Sequence, residues 1–122
     1  MNQSIQFAEQ LKLRTKDFAL RVIKLFRNLP KTDEARVIGK QLLRAATSVG
    51  ANYRAACRAR SDAEYFAKLC IVVEESDESA YWMELLMEAE IIPQKKLESL
   101  LSEANELIAL FASSRRTLKD KR

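Results

Sequence analysis

The chain has 122 residues, 48% of them apolar and 31% charged, with a net charge of +4. That length and balance fit one folded domain with a real core, leave no room for a second domain, and exclude a disordered chain. There is no histidine. This excludes Ser-His-Asp and Cys-His triads, His-ligated catalytic zinc and the Glu-x-x-His pattern of di-iron bundles.

The first segment, Met1 to Gln6, lacks the basic and apolar regions of a signal peptide, and no apolar run reaches the ~20 residues of a membrane span. A cytoplasmic protein with no membrane contact is expected. Helix 1 is predicted at about 4–28. Leu11, Thr15, Phe18, Val22, Leu25 and Leu29 recur at four- and three-residue steps, and Ala8, Ala19 and Phe26 widen the stripe. Pro30 ends it, because proline cannot continue the hydrogen-bond ladder. Thr32 is the expected N-cap of helix 2, followed by Asp33 and Glu34 in a favourable first turn.

Helix 2 is predicted over about 33–58, with Val37, Ile38, Leu42, Ala45, Val49, Tyr53 and Ala56 on its apolar face. Its two glycines cost roughly 1 kcal/mol each against alanine. Ala35, Gly39, Ala46 and Gly50 fall near one side, which favours close approach of a neighbouring helix over a ligand site. Ser61-Asp62-Ala63-Glu64 is a capping box and the firmest local boundary. Helix 3 then spans about 62–91, along Tyr65, Leu69, Val72, Ser76, Ala80, Met83 and Met87. After Pro93, helix 4 covers about 94–117 on Leu97, Leu100, Leu101, Ala104, Leu107, Ile108 and Phe111, leaving a frayed basic tail at 118–122. Short connections between long helices predict an all-α, up-down-up-down antiparallel four-helix bundle spanning residues 1–122 as a single domain.

Cys57 and Cys70 have no metal or redox spacing and are expected to be free thiols rather than a disulfide. Glu74, Glu75, Asp77 and Glu78 are nearly consecutive on one helix and therefore diverge, so neither a metal site nor paired catalytic carboxylates is expected. No cofactor, metal or catalytic residue is expected, and the chain is not expected to be an enzyme.

Charge is sorted by segment. Residues 1–31 carry seven Lys/Arg and two acids; residues 35–60 carry six basic residues and no acid; residues 61–90 carry nine acids and only Lys68. Arg36, Lys40, Arg44, Arg54, Arg58 and Arg60 are thus candidates for contacting nucleic-acid phosphates, with the basic tail assisting. The competing use of the same charges is pairing with acidic helix 3, within a subunit or between subunits. Helix 3 is also apolar around nearly its whole circumference from Ala80 to Met87, and Leu110 lies off the helix 4 stripe. A crowded core or an oligomer would each explain this. The oligomer is favoured, with Tyr81, Trp82, Leu85 and Leu86 as its interface.

The stretch Gln41 to Asn52 resembles the helix 2 signature of the four-helix-bundle family named for 23S rRNA intervening sequences. Arg44, Ala45, Ala46, Ser48, Val49 and Asn52 match it, as do Arg60, Ser61, Glu64 and Tyr65 after the loop, and Glu78 in helix 3. Tyr53 to Ala56 and Glu74-Glu75 depart from the family pattern. The resemblance implies a small bacterial protein without enzymatic activity that forms a ring, typically a homopentamer. A related branch, the accessory variability proteins of diversity-generating retroelements, implies a nucleic-acid-binding accessory role beside a reverse transcriptase. The partners so implied are further copies of the chain, RNA or DNA, and a reverse transcriptase or other protein. The alternative is a purely structural or protein-interaction ring whose charges are used between subunits.

Overall fold

The computed structural model describes the backbone of residues 3–120 and the side chains of residues 5–118. It contains four helices, α1 (Gln3–Arg27), α2 (Asp33–Cys57), α3 (Asp62–Glu88) and α4 (Gln94–Asp120), and no strand among the described residues. The three breaks fall where proline and the capping box place them. Thr32 accepts a hydrogen bond from the Ala35 amide at 3.4 Å, and Ser61 accepts one from the Glu64 amide at 3.1 Å. The reciprocal half of the capping box is displaced by one residue, because the Glu64 carboxylate accepts from the amide of Arg60 at 3.3 Å. Ser61→Ala should therefore lower the unfolding free energy by about 1 kcal/mol, read as an earlier urea midpoint with an unchanged slope.

Two boundaries differ from expectation. The third helix stops at Glu88, three residues early. Glu90 turns the chain with φ 59°, and the amides of Ile91 and Ile92 both donate to the Leu86 carbonyl, at 2.9 and 3.1 Å. This reversal carries Ile92 into the core, where it is 5% exposed, and its burial offsets the strain of a left-handed glutamate. The fourth helix continues through Asp120 instead of fraying at 118, since no glycine or proline follows Pro93. Lys121 and Arg122 of the expected tail lie outside the described residues.

The core runs the length of the bundle through Leu11, Phe18, Val22, Leu42, Val49, Leu69, Val72, Met83, Leu97, Leu107 and Phe111. Adjacent helices in sequence pack on each other, and α1 and α4 close the ring with the sparsest contact. Thr15 faces Gly50, while Leu29 and Phe26 face Gly39, so partners on α2 descend as α1 ascends. On the other side Arg14 reaches Glu103 and Arg21 reaches Ser99, again in opposite order. A Cβ on Gly39 would overlap the Leu29 side chain and stand 3.2 Å from the Phe26 ring, so close helix approach accounts for this glycine. Val37, expected on the apolar face, is 63% exposed: it lies one residue, about 100°, round from its half-buried neighbour Ile38.

The outward surface expected on α3 is also smaller than the sequence indicates. Leu86 is fully buried in the single chain, beside the equally buried Met83, and so is not an outward interface residue. Trp82 and Leu85 are half-buried; Tyr81 is exposed and stacks edge-on against Trp82 at 5.1 Å. A crowded core explains much of the apolar excess. Leu110 likewise packs against the core from the side. Cys57 and Cys70 are both free and half-buried.

Candidate nucleic-acid interface

The six basic candidates do not form one surface. Residues spaced four apart on an α-helix advance about 40° per step, so Arg44 is carried about 80° round from Arg36. That rotation brings it to α3. Its guanidinium bonds the carboxylates of Glu78 and Glu75, the latter at 3.3 Å. Glu78 first and Glu75 second hold the Arg44 pKa above its ordinary value. Glu78 is shared further, accepting from the Trp82 indole N–H at 3.2 Å. Arg44 is thus committed to joining α2 to α3. For this residue the pairing alternative is correct.

Arg36, Lys40, Arg54 and Arg58 behave differently, because spacings of 4, 14 and 4 return them to within about 40° of each other. All four are exposed; Arg36 lies 3.6 Å from Asp33 across one exposed turn, too weak a contact to withdraw it. Arg60 lies beyond the helix, its side chain exposed.

Sequence reasoning missed the opposite bank. Arg54 and Arg58 face Lys12 and Lys16 of α1 across a groove of about 400 Å³. Short side chains keep it open: Ala19 and Thr15 on α1, Thr47, Gly50 and Ala51 on α2. Glu9 is its one acid, and it pairs with Lys12 at 2.9 Å. Among the described residues, Lys16, Lys40, Arg54 and Arg58 make no ion pair. The excess of basic residues in segment 1–31 was the available signal, but periodicity does not say which helix faces which. Not every α1 cation is free, however: Arg14 grips Glu103 of α4 in a two-pronged bond at 2.6 and 3.1 Å, and Glu106 at 3.3 Å. Glu103 raises its pKa most, with Glu106 adding to it.

Below the groove the same end of the bundle holds two further clefts that share Tyr65. One, about 410 Å³, is lined by Tyr53, Cys57 and Arg60; the other, about 370 Å³, by Phe7, Leu110 and Leu118. Burial pushes the hydroxyl pKa of both Tyr53 and Tyr65 upward, with Cys57 adding to each. Among the described residues no three His, Cys, Asp or Glu side chains group to hold a metal ion, and no helix is long and apolar enough to cross a membrane. Glu75 and Glu78 face Arg44, whereas Glu74 and Asp77 point to solvent. Chemically, the site offers cations on both banks of a shallow, small-residue floor. It fits a polyanion held by its phosphates, through lysine point charges and arginine forks.

The family model described as 23S rRNA-intervening sequence protein matches residues 9–113. The chain belongs to that family. A similar solved structure is a protein of unknown function from the S23 ribosomal protein family of Bacteroides thetaiotaomicron. It shares 35% identity and a TM-score of 0.83, covering 89% of this chain and 97% of that one. No curated protein matches.

Within this 23S rRNA-intervening sequence protein fold, the signature residues have structural work. Ala45, Ala46 and Val49 are fully buried, and Ser48 accepts from the Asn52 side chain at 2.8 Å. Arg44 and Glu78 clasp α2 to α3, while Ser61 and Glu64 start α3. The basic groove uses other positions. Arg54 falls within the stretch that departs from the family pattern.

Proposed function

We propose that this family member is a non-enzymatic accessory protein that binds the phosphate backbone of RNA or DNA through the groove between α1 and α2. The carrying observation is the convergence of Lys12, Lys16, Arg54 and Arg58 on one groove containing a single acid. The family's association with 23S rRNA intervening sequences supports a role close to RNA. Nothing in the groove resembles a base-reading element, so recognition rests on charge and is weakly sequence-specific. We further propose an up-down-up-down antiparallel bundle, supported by the opposed order of the α1 contacts. In this reading the bundles assemble in the cytoplasm as a ring, most simply a homopentamer, with a reverse transcriptase or another protein as further partner. Ring assembly multiplies the basic groove by the number of subunits.

The second reading is a purely structural or protein-interaction ring. It is favoured by exposed Leu13, Leu20, Val37 and Tyr81, which a neighbouring subunit can cover.

Fluorescence anisotropy with mixed-sequence RNA and DNA at low salt separates the two. The variant Arg54→Glu/Arg58→Glu, confirmed as folded and assembled, should bind roughly ten-fold or more weakly than the parent. Arg44→Gln should change affinity little, since that guanidinium faces its own carboxylates. A parent that binds neither nucleic acid leaves the structural ring as the function.

A further inference from the structure

The groove does not end at the charged residues. The linings of the groove and the neighbouring cleft adjoin along the chain: on α1 Glu9 borders the groove and Ala8 the cleft, and after α2 Arg58 borders the groove and Ala59 and Arg60 the cleft. That cleft meets the next at Tyr65, which lines both, and Phe7 stands on the far side at 44% exposure. The groove cations and Arg60, with Asp62 as the one acid lining the intervening cleft, therefore lead onto two partly open aromatic rings. Tyr65 packs against the core with part of its ring open, whereas Phe7 stands outside that core. The hydrophobic gain of Phe7 is only half realised where it stands.

Duplex bases are stacked on each other and withhold their faces, whereas an unpaired strand can place bases on aromatic side chains. Resting on the phosphate-binding reading above, we propose that this end of the bundle selects single-stranded nucleic acid, with phosphates along Lys16, Arg54, Arg58 and Arg60 and bases stacked on Tyr65 and Phe7. Stacking is sequence-tolerant because every base has a π face, so the selection is for strandedness and not for sequence.

The test compares a mixed-sequence single-stranded RNA, the matching single-stranded DNA and the duplex of that DNA, each titrated at several salt concentrations. The parent should prefer single strands. Phe7→Ala/Tyr65→Leu should lose roughly five-fold or more of single-strand affinity while keeping its salt slope and its duplex binding. Arg54→Gln/Arg58→Gln should instead flatten the slope, by about 1.4 for single strands and about 1.8 for the duplex. Because Tyr65 is half-buried, Phe7→Ala alone is measured too, and the parent's own preference stands without either variant. Equal binding of duplex and single strand, or an unchanged preference in the Phe7→Ala chain, overturns the selection and leaves phosphate binding intact. Failure of the parent to bind any of the three overturns both.

Discussion

Phe111→Ala is expected to lower the unfolding free energy by about 3–5 kcal/mol, among the largest effects of any single truncation in this chain. Phe111 is fully buried, and its ring centre lies 5.0 Å from that of Tyr53, tilted by 49°. This pair joins α2 to α4, helices that are otherwise separated by their neighbours in the ring. Truncation removes the buried ring surface, leaves a cavity that long rigid helices close poorly, and deprives Tyr53 of its aromatic partner. The expected loss is a large share of the 5–15 kcal/mol typical of a domain. Urea denaturation followed by far-UV circular dichroism reads it as a shifted midpoint. A loss below about 1 kcal/mol would mean that α4 does not pack through Phe111.

Leu86→Ala should cost about 2–5 kcal/mol, while Tyr81→Ala should stay within about 0.5 kcal/mol for the folded subunit. The contrast follows from their positions: Leu86 is fully buried within one chain and Tyr81 is 52% exposed five residues earlier on the same helix. If the assembled ring covers Tyr81, its truncation should appear in light scattering as a smaller particle with intact helices. The opposite pattern, a Leu86→Ala chain that keeps its midpoint but dissociates, would place Leu86 at a subunit interface and contradict its burial in the core.

What the sequence made legible is local. Pro30, Ser61 with Glu64, and Pro93 mark breaks by chemistry that acts within a few residues, and the structure honours each. The early end of α3 was hidden because its reversal uses Glu90 where a glycine would have announced it. Arg36, Lys40 and Arg44 look like one face when counted by fours, yet the helix turns enough over eight residues to send Arg44 to Glu78. Leu86 could not be assigned inside or outside from a helix that is apolar on nearly every side. The groove lay beyond sequence reasoning for a different reason. Lys12 and Lys16 meet Arg54 and Arg58 only once α1 and α2 are aligned, with Gly39 against Leu29 and Gly50 against Thr15. The family signature points elsewhere, to the residues that hold α2 and α3 together.

The most direct measurement of the central claim is the salt dependence of binding by the parent chain. Each phosphate neutralised in the groove releases condensed counterions, so the logarithm of affinity should fall linearly with the logarithm of salt concentration, by roughly 0.7–0.9 per contact. Three unpaired groove cations per subunit, Lys16, Arg54 and Arg58, predict a slope of at least about two for RNA or DNA spanning one groove, and a steeper one if a ring presents several. A slope near zero, or no binding at low salt, would contradict the claim and assign these charges to contacts between protein subunits.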